Sequence, residues 1–154
     1  MGTSALTLAT VSDFTDALGQ VVRSATLPRF SERVAKEAGT HLDRSAFVLL
    51  ARLAEQACRV GELAEHVRLD GSTVSRQVHA LEQNGLVGCE PHPTDRRGSV
   101  VVITPEGRQA IDQHRQARRK IFAELLSDVP SAELEAATAV LELLTTRIEE
   151  LGDA

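Results

Sequence analysis

Apolar side chains recur along this chain at two periods, and the change from one to the other marks its organisation. Over residues 12–26, Phe14, Leu18, Val21 or Val22 and Ala25 fall three or four apart, which is one stripe of an amphipathic helix, with Ser12 available to cap its start. Pro28 removes a backbone donor and is expected to stop or kink that helix, leaving residues 29–37 as a second segment that ends at Gly39-Thr40. Asp43 then caps a helix through Ala57, with Phe47, Leu50, Ala51 and Ala54 as its buried stripe. Val60, Leu63, Ala64 and Val67 write a short helix over 60–68, interrupted at Asp70-Gly71, and Val74, Val78 and Leu81 write another from Ser72 to Gln83.

After Asn84-Gly85 the period shortens. Leu86-Val87 opens an extended run to His92, Pro93 to Gly98 is turn-like, and Val100 to Ile103 is β-branched, which together predict a hairpin. Thr104-Pro105-Glu106-Gly107 restarts a helix, with Thr at the cap, Pro at the first position and Glu near the positive end of the dipole, and it runs to about Ser127. Past Val129-Pro130, Ser131 is the next cap. Leu134, Ala137, Leu141, Leu144, Ile148 and Leu151 then alternate spacings of three and four, a heptad seam. The expected fold is therefore mainly α with a small β-hairpin wing. A winged helix-turn-helix lobe over 43–108 is flanked by a helical dimerisation region, 1–42 and 109–154, that packs on itself and on a second copy.

Charge narrows the function. The 154 residues carry 17 basic and 22 acidic side chains, a net charge of -5, which argues against indiscriminate coating of nucleic acid. The acidic excess is greatest after residue 107, so the lobe is less acidic than the total suggests. No run reaches the roughly 18 apolar residues of a membrane span and the start lacks a basic signal-peptide region, so a cytoplasmic protein without a membrane partner is expected. Cys58 and Cys89 stand 31 apart with no CxxC, and both are expected to be small buried hydrophobes.

The predicted second helix of the helix-turn-helix carries the chemistry. Setting Val74, Val78 and Leu81 inward at about 100° per residue turns Ser72, Arg76, His79 and Gln83 outward, with Thr73 and Ser75 on the flanks. Arg bridges guanine O6 and N7, hydroxyls bond phosphates or base edges, and the helix start at Gly71-Ser72-Thr73 offers free amides to a phosphate. The hairpin tip Pro93-Thr94-Asp95-Arg96-Arg97-Gly98 projects adjacent guanidiniums of the kind a narrow minor groove attracts, with Asp95 placed to pair with one of them. A solvated polar face and an ordinary surface ion pair are the plain alternatives.

The ordered set Val60-Gly61-Glu62-Leu63-Ala64-Glu65, Gly71-Ser72-Thr73-Val74-Ser75-Arg76, Leu81-Glu82-Gln83-Asn84-Gly85-Leu86-Val87, Asp95-Arg96-Arg97 and Ile103-Thr104-Pro105-Glu106-Gly107-Arg108 resembles the MarR family of bacterial transcriptional regulators. The likeness is close over residues 43–128 and lies in placement and apolar spacing outside them. It implies a homodimer whose terminal helices form the interface and whose two lobes grip a pseudo-palindromic double-stranded operator. By position it implies Ser72, Thr73, Ser75, Arg76 and Gln77 in the major groove, Arg96 and Arg97 at the wing tip with Arg97 entering the minor groove, and Asp95 orienting it. It further implies repression relieved by a small phenolic or anionic effector, whose pocket residues the sequence does not mark.

Rival readings are weaker. Oxidation sensing lacks a cysteine before Cys58, and metal sensing lacks paired ligands, because His41, His66, His79, His92 and His114 are scattered. No metal or other cofactor is expected. An enzyme would need a phosphate loop or nucleophile motif that is not written here. A winged-helix protein-interaction module without DNA readout is the alternative from another class, since the fold alone does not dictate DNA binding. The basic run Arg115 to Lys120 reads as a solvated helix face.

Overall fold

The computed structural model describes residues 7–40, 42–92, 94–95 and 98–152. Seven helices and one hairpin follow in the order α1 (Leu8–Ala25), α2 (Pro28–Ala38), α3 (Arg44–Glu55), α4 (Val60–Val67), α5 (Gly71–Gln83), β1 (Val87–Pro91), β2 (Ser99–Ile103), α6 (Pro105–Leu125) and α7 (Ser131–Gly152) among the described residues. This is the winged helix-turn-helix arrangement expected from the periodicities. Two compact units are distinguishable, one reaching to Arg118 and one from Arg119 onward.

Several boundaries differ from the sequence reading for identifiable reasons. The first helix begins at Leu8 because the Thr7 hydroxyl caps it, accepting the Thr10 amide at 3.2 Å, which leaves Ser12 inside the helix. Pro28 opens α2 rather than bending α1, since a proline at the first helical position lacks only a donor that would be unpaired anyway. Helix α3 stops at Glu55 because Cys58 is drawn into a bridge with β2: its amide donates to the Val101 carbonyl at 3.4 Å and its carbonyl accepts the Val101 amide at 2.9 Å.

The core of the first unit gathers Leu49, Leu50 and Leu53 of α3, Leu63 of α4, Val74, Val78 and Leu81 of α5, Val87 and Val101 of the hairpin and Ile111 of α6. The stripe of α3 is therefore rotated from the expected one. Leu49 and Leu53 are buried, while Phe47 and Ala54 pack at the margin. Cys58 is buried as expected, but Cys89 is exposed, because β1 runs out past the edge of the core after Val87.

The joint between hairpin and α6 is closely packed and hydrogen-bonded. The Thr104 hydroxyl donates to the Gly85 carbonyl at 2.7 Å and accepts the Gly107 amide at 3.0 Å, while the Thr104 amide donates to the Leu86 carbonyl at 3.1 Å. One side chain thus caps α6 and ties it to the turn before β1. Gly107 is obligatory there, since a Cβ on it would stand 2.1 Å from the Leu86 carbonyl oxygen and 2.8 Å from Ile103 Cγ1.

Candidate nucleic-acid interface

The turn between α4 and α5 takes Arg68 into the left-handed region, at φ 54°, where the Arg68 amide bonds the Glu65 carbonyl and the Leu69 amide the Ala64 carbonyl. This reversal delivers Asp70 to the cap of α5. Its carboxylate accepts the Ser72 hydroxyl at 2.6 Å, the Thr73 hydroxyl at 2.6 Å and the Thr73 amide at 2.8 Å. Those hydroxyl bonds, Ser72 first, followed by the Thr73 amide, hold the Asp70 carboxyl well below the usual carboxylate range. Ser72 and Thr73 are thereby oriented with their hydrogens committed to Asp70, which leaves their oxygens to act as acceptors. A base amino group, a donor, suits such an oxygen better than a phosphate does.

Along α5, Ser72, Ser75 and Arg76 are exposed and Thr73 is half-buried. The Arg76 guanidinium rests on the Thr73 hydroxyl at 3.4 Å, and the Ser75 hydroxyl donates to the Gly71 carbonyl at 2.7 Å. His79 and Gln83 continue the same polar face, 3.1 Å apart. Gln77 is turned the other way: its amide nitrogen donates to the Ser45 hydroxyl of α3 at 3.1 Å. It lies about one turn after the buried Val74, so the helical period itself puts it on the inner flank.

The hairpin pairs Val87 with Ile103 through to Pro91 with Ser99, antiparallel. Its loop is closed by the His92 amide on the Gly98 carbonyl at 2.9 Å and the Gly98 amide on the Asp95 carbonyl at 3.0 Å. His92 Nδ1 accepts the Asp95 amide at 3.2 Å, which requires that nitrogen to be unprotonated. Arg96 and Arg97 lie outside the described residues. Asp95 is half-buried and bonded by the Arg59 guanidinium at 2.6 Å.

Arg59 is the residue that the sequence reading missed. It follows Cys58, which is pinned to β2, and its amide is held by the Glu62 carboxylate at 2.9 Å at the start of α4. Its guanidinium lies along Gly98, where a Cβ would come within 3.0 Å of Nη2. The wing is therefore tied to the beginning of the helix-turn-helix. No local pattern announces a pair 36 residues apart.

A helix-turn-helix with a pinned wing and a polar, exposed second helix is a DNA-reading module of the winged-helix class. Comparison with known proteins makes this specific. The pattern of the MarR family matches residues 42–99. The HTH-type transcriptional regulator YxaD of Bacillus subtilis is 38% identical over 96 residues, covering 62% of this chain and 67% of the relative. The HTH-type transcriptional repressor IacR of Pseudomonas putida is 27% identical over 92 residues, 60% of this chain and 55% of its own. In fold, a MarR family protein from Bacillus stearothermophilus superposes with a TM-score of 0.77 over 94% of this chain and 99% of that one at 23% identity. Apo MarR from E. coli gives 0.67 over 82% and 96% at 19% identity. The chain belongs to the MarR family and is a DNA-binding transcriptional regulator.

Among the described residues no group of three or more His, Cys, Asp or Glu side chains is placed to hold a metal ion, and no helix is long and apolar enough to cross a membrane.

Proposed function

We propose that the protein is a homodimeric repressor that grips a pseudo-palindromic operator and is released from it by a small effector. The observation that carries the reading is the exposed edge of α5, on which Asp70 pre-orients Ser72 and Thr73 and the exposed Arg76 rests on the Thr73 hydroxyl. Preset donors and acceptors lose little entropy on docking, which favours readout of base edges over loose phosphate contact. In this reading α5 enters the major groove through Ser72, Thr73, Ser75 and Arg76, and the wing, held by Arg59 and Asp95, delivers Arg96 and Arg97 to the minor groove. Gln77 acts from behind the helix, through Ser45. The dimer reading is supported by apolar side chains left in solvent within each unit of a single chain. They include Val11, Phe14, Val21 and Val22 on α1, and Val140, Leu141, Leu143 and Ile148 on α7.

The test is a fluorescence-anisotropy titration of the intergenic DNA beside the gene against a scrambled duplex, at two salt concentrations. Tight binding to the first alone is expected, with Arg76→Ala flattening the preference among operator variants and Arg97→Ala weakening all of them. Equal, weak binding to both duplexes would overturn the reading in favour of a protein-interaction module.

A further inference from the structure

The hydroxyls along the outer edge of α5 share one property: each has already given its hydrogen away. Ser72 donates to Asp70 Oδ1 at 2.6 Å, Thr73 to Asp70 Oδ2 at 2.6 Å, and Ser75 to the Gly71 carbonyl at 2.7 Å. The direction of each bond is fixed by chemistry, because a carboxylate and a carbonyl oxygen can only accept. Asp70 stays a carboxylate, since the two hydroxyl bonds, together with the Thr73 amide on Oδ1 at 2.8 Å, favour its charged form. Ser72 and Ser75 are exposed and Thr73 is half-buried. Their oxygens are left as acceptors, and the guanidinium of Arg76, resting on the Thr73 oxygen at 3.4 Å, supplies donors beside them.

Capping alone does not account for a charge at this place. Asn and Ser cap a helix about as well as Asp, and a carboxylate on an edge that meets phosphates opposes the encounter. What Asp does and Asn cannot is accept at both oxygens. In the major groove, adenine and cytosine each carry an amino donor, whereas guanine and thymine carry only acceptors. A hydroxyl whose hydrogen is spent can bond the first two and is repelled by the second two.

We propose that Asp70 is a positioning residue for base readout: it holds Ser72 and Thr73 as acceptors, so that the operator carries adenine or cytosine, not guanine or thymine, on the strand each of them contacts. The inference rests on the reading that sets α5 in the major groove and adds to it the class of base. Asp70→Asn turns the assignment into an inversion. The Asn carbonyl has to stay at the Oδ1 position, where the Thr73 amide and the Ser72 hydroxyl both donate. Its NH2 then stands at the Oδ2 position and donates to the Thr73 oxygen, which frees the Thr73 hydrogen for a base. Thr73 thereby changes from acceptor to donor and comes to favour guanine or thymine. Ser72 and Ser75 keep their sense, so they are internal controls.

The full chain is used to select duplexes from a pool with a randomised centre, and the bound sequences are compared for wild type, Ser72→Ala, Thr73→Val and Asp70→Asn. Positions whose preference is lost in Ser72→Ala or Thr73→Val are those that the two hydroxyls read, and adenine or cytosine is expected there in the wild-type set. In Asp70→Asn the position read by Thr73 is expected to move several-fold toward guanine or thymine, with the Ser72 position unchanged and wild-type circular dichroism. A merely structural cap would instead weaken every position together. If Asp70→Asn does not fold, the base class at the positions mapped by the other two variants still decides. Guanine or thymine at those positions in the wild-type set, no position altered by either hydroxyl variant, or a folded Asp70→Asn whose preferences are unchanged or uniformly flattened would overturn the proposal. Failure of the underlying reading looks different. A pool from which wild type enriches no sequence would remove the sequence-specific regulator, whereas a defined sequence with the wrong bases removes only the role of Asp70.

Discussion

Replacing Gly107 with alanine tests the account of the joint between wing and α6 through the sign of its effect. In an open helical position alanine is favoured over glycine by up to about 1 kcal/mol. At Gly107 the new methyl would stand 2.1 Å from the Leu86 carbonyl oxygen, 2.8 Å from Ile103 Cγ1 and 3.1 Å from the Leu86 carbonyl carbon. Two of these are backbone atoms, and the carbonyl is held by the Thr104 amide, so no flexible side chain can give way. Overpacking of this kind costs about 1–3 kcal/mol. Relief by withdrawing α6 would strain the Gly107-to-Thr104 and Thr104-to-Gly85 hydrogen bonds, each worth about 1 kcal/mol. The expected outcome is a net loss of about 2 kcal/mol or more after the propensity gain is subtracted. Gly61 in α4 is the control, with no atom within 4 Å of the position a Cβ would take and no positive φ, so Gly61→Ala is expected to be neutral or more stable. Both variants are compared with wild type by urea unfolding at one fixed protein concentration, because a self-associating chain gains stability with concentration. A midpoint for Gly107→Ala at or above wild type would refute the steric argument.

Three further outcomes are expected. His114 is buried with both ring nitrogens unpartnered, stacked on Phe47 at 4.3 Å between centroids, and burial first and the Arg118 charge second push its pKa down. The unfolded ring protonates below about pH 6.5 while the folded ring resists. Its contribution is therefore complete above that value and lost as pH falls toward the lowered folded one. His114→Leu should flatten the fall in stability between about pH 7.5 and 5.5, and equal slopes in thermal unfolding would count against it. Arg68→Gly should raise Tm, since relief of about 1–2 kcal/mol of left-handed strain exceeds the unfolded-chain entropy cost of about 0.4–1 kcal/mol; a lower Tm would show that the Arg68 side chain contributes more than its backbone costs. Arg59→Ala should weaken operator binding several-fold while lowering stability by less than about 1 kcal/mol, because the pair it makes is partly exposed. Unchanged affinity in the anisotropy titration would separate the Arg59 tie from DNA binding.

Much of the lobe is legible in the sequence because short-range periods write it. The 3.6-residue spacing of Val74, Val78 and Leu81 places α5, the β-branched run places β2, and Thr104-Pro105 places the start of α6. Where two cap-forming residues compete, as Thr7 and Ser12 do, the sequence cannot rank them, because the winner is decided by which hydroxyl meets a free amide. The site divides similarly. The outward face of α5 follows from its own period, and that same period leans Gln77 inward although the family likeness groups it with the residues that face DNA. The Arg59–Asp95 pair and the bond from Gln77 to Ser45 join distant segments, and their geometry exists only once the core has brought those segments together.

The Arg59 tie also bears on modularity. A wing is commonly thought of as a self-contained hairpin that could be exchanged between related lobes to alter minor-groove preference. Here the hairpin's loop is completed by a guanidinium from before α4, lying along Gly98 and closing on Asp95. A transplant of residues 87–103 alone would leave Asp95 without that counterion and the loop without one of its walls. The structural unit is the hairpin together with the Cys58-Arg59 dipeptide, so a wing moved to another lobe keeps its counterion only if that dipeptide moves with it.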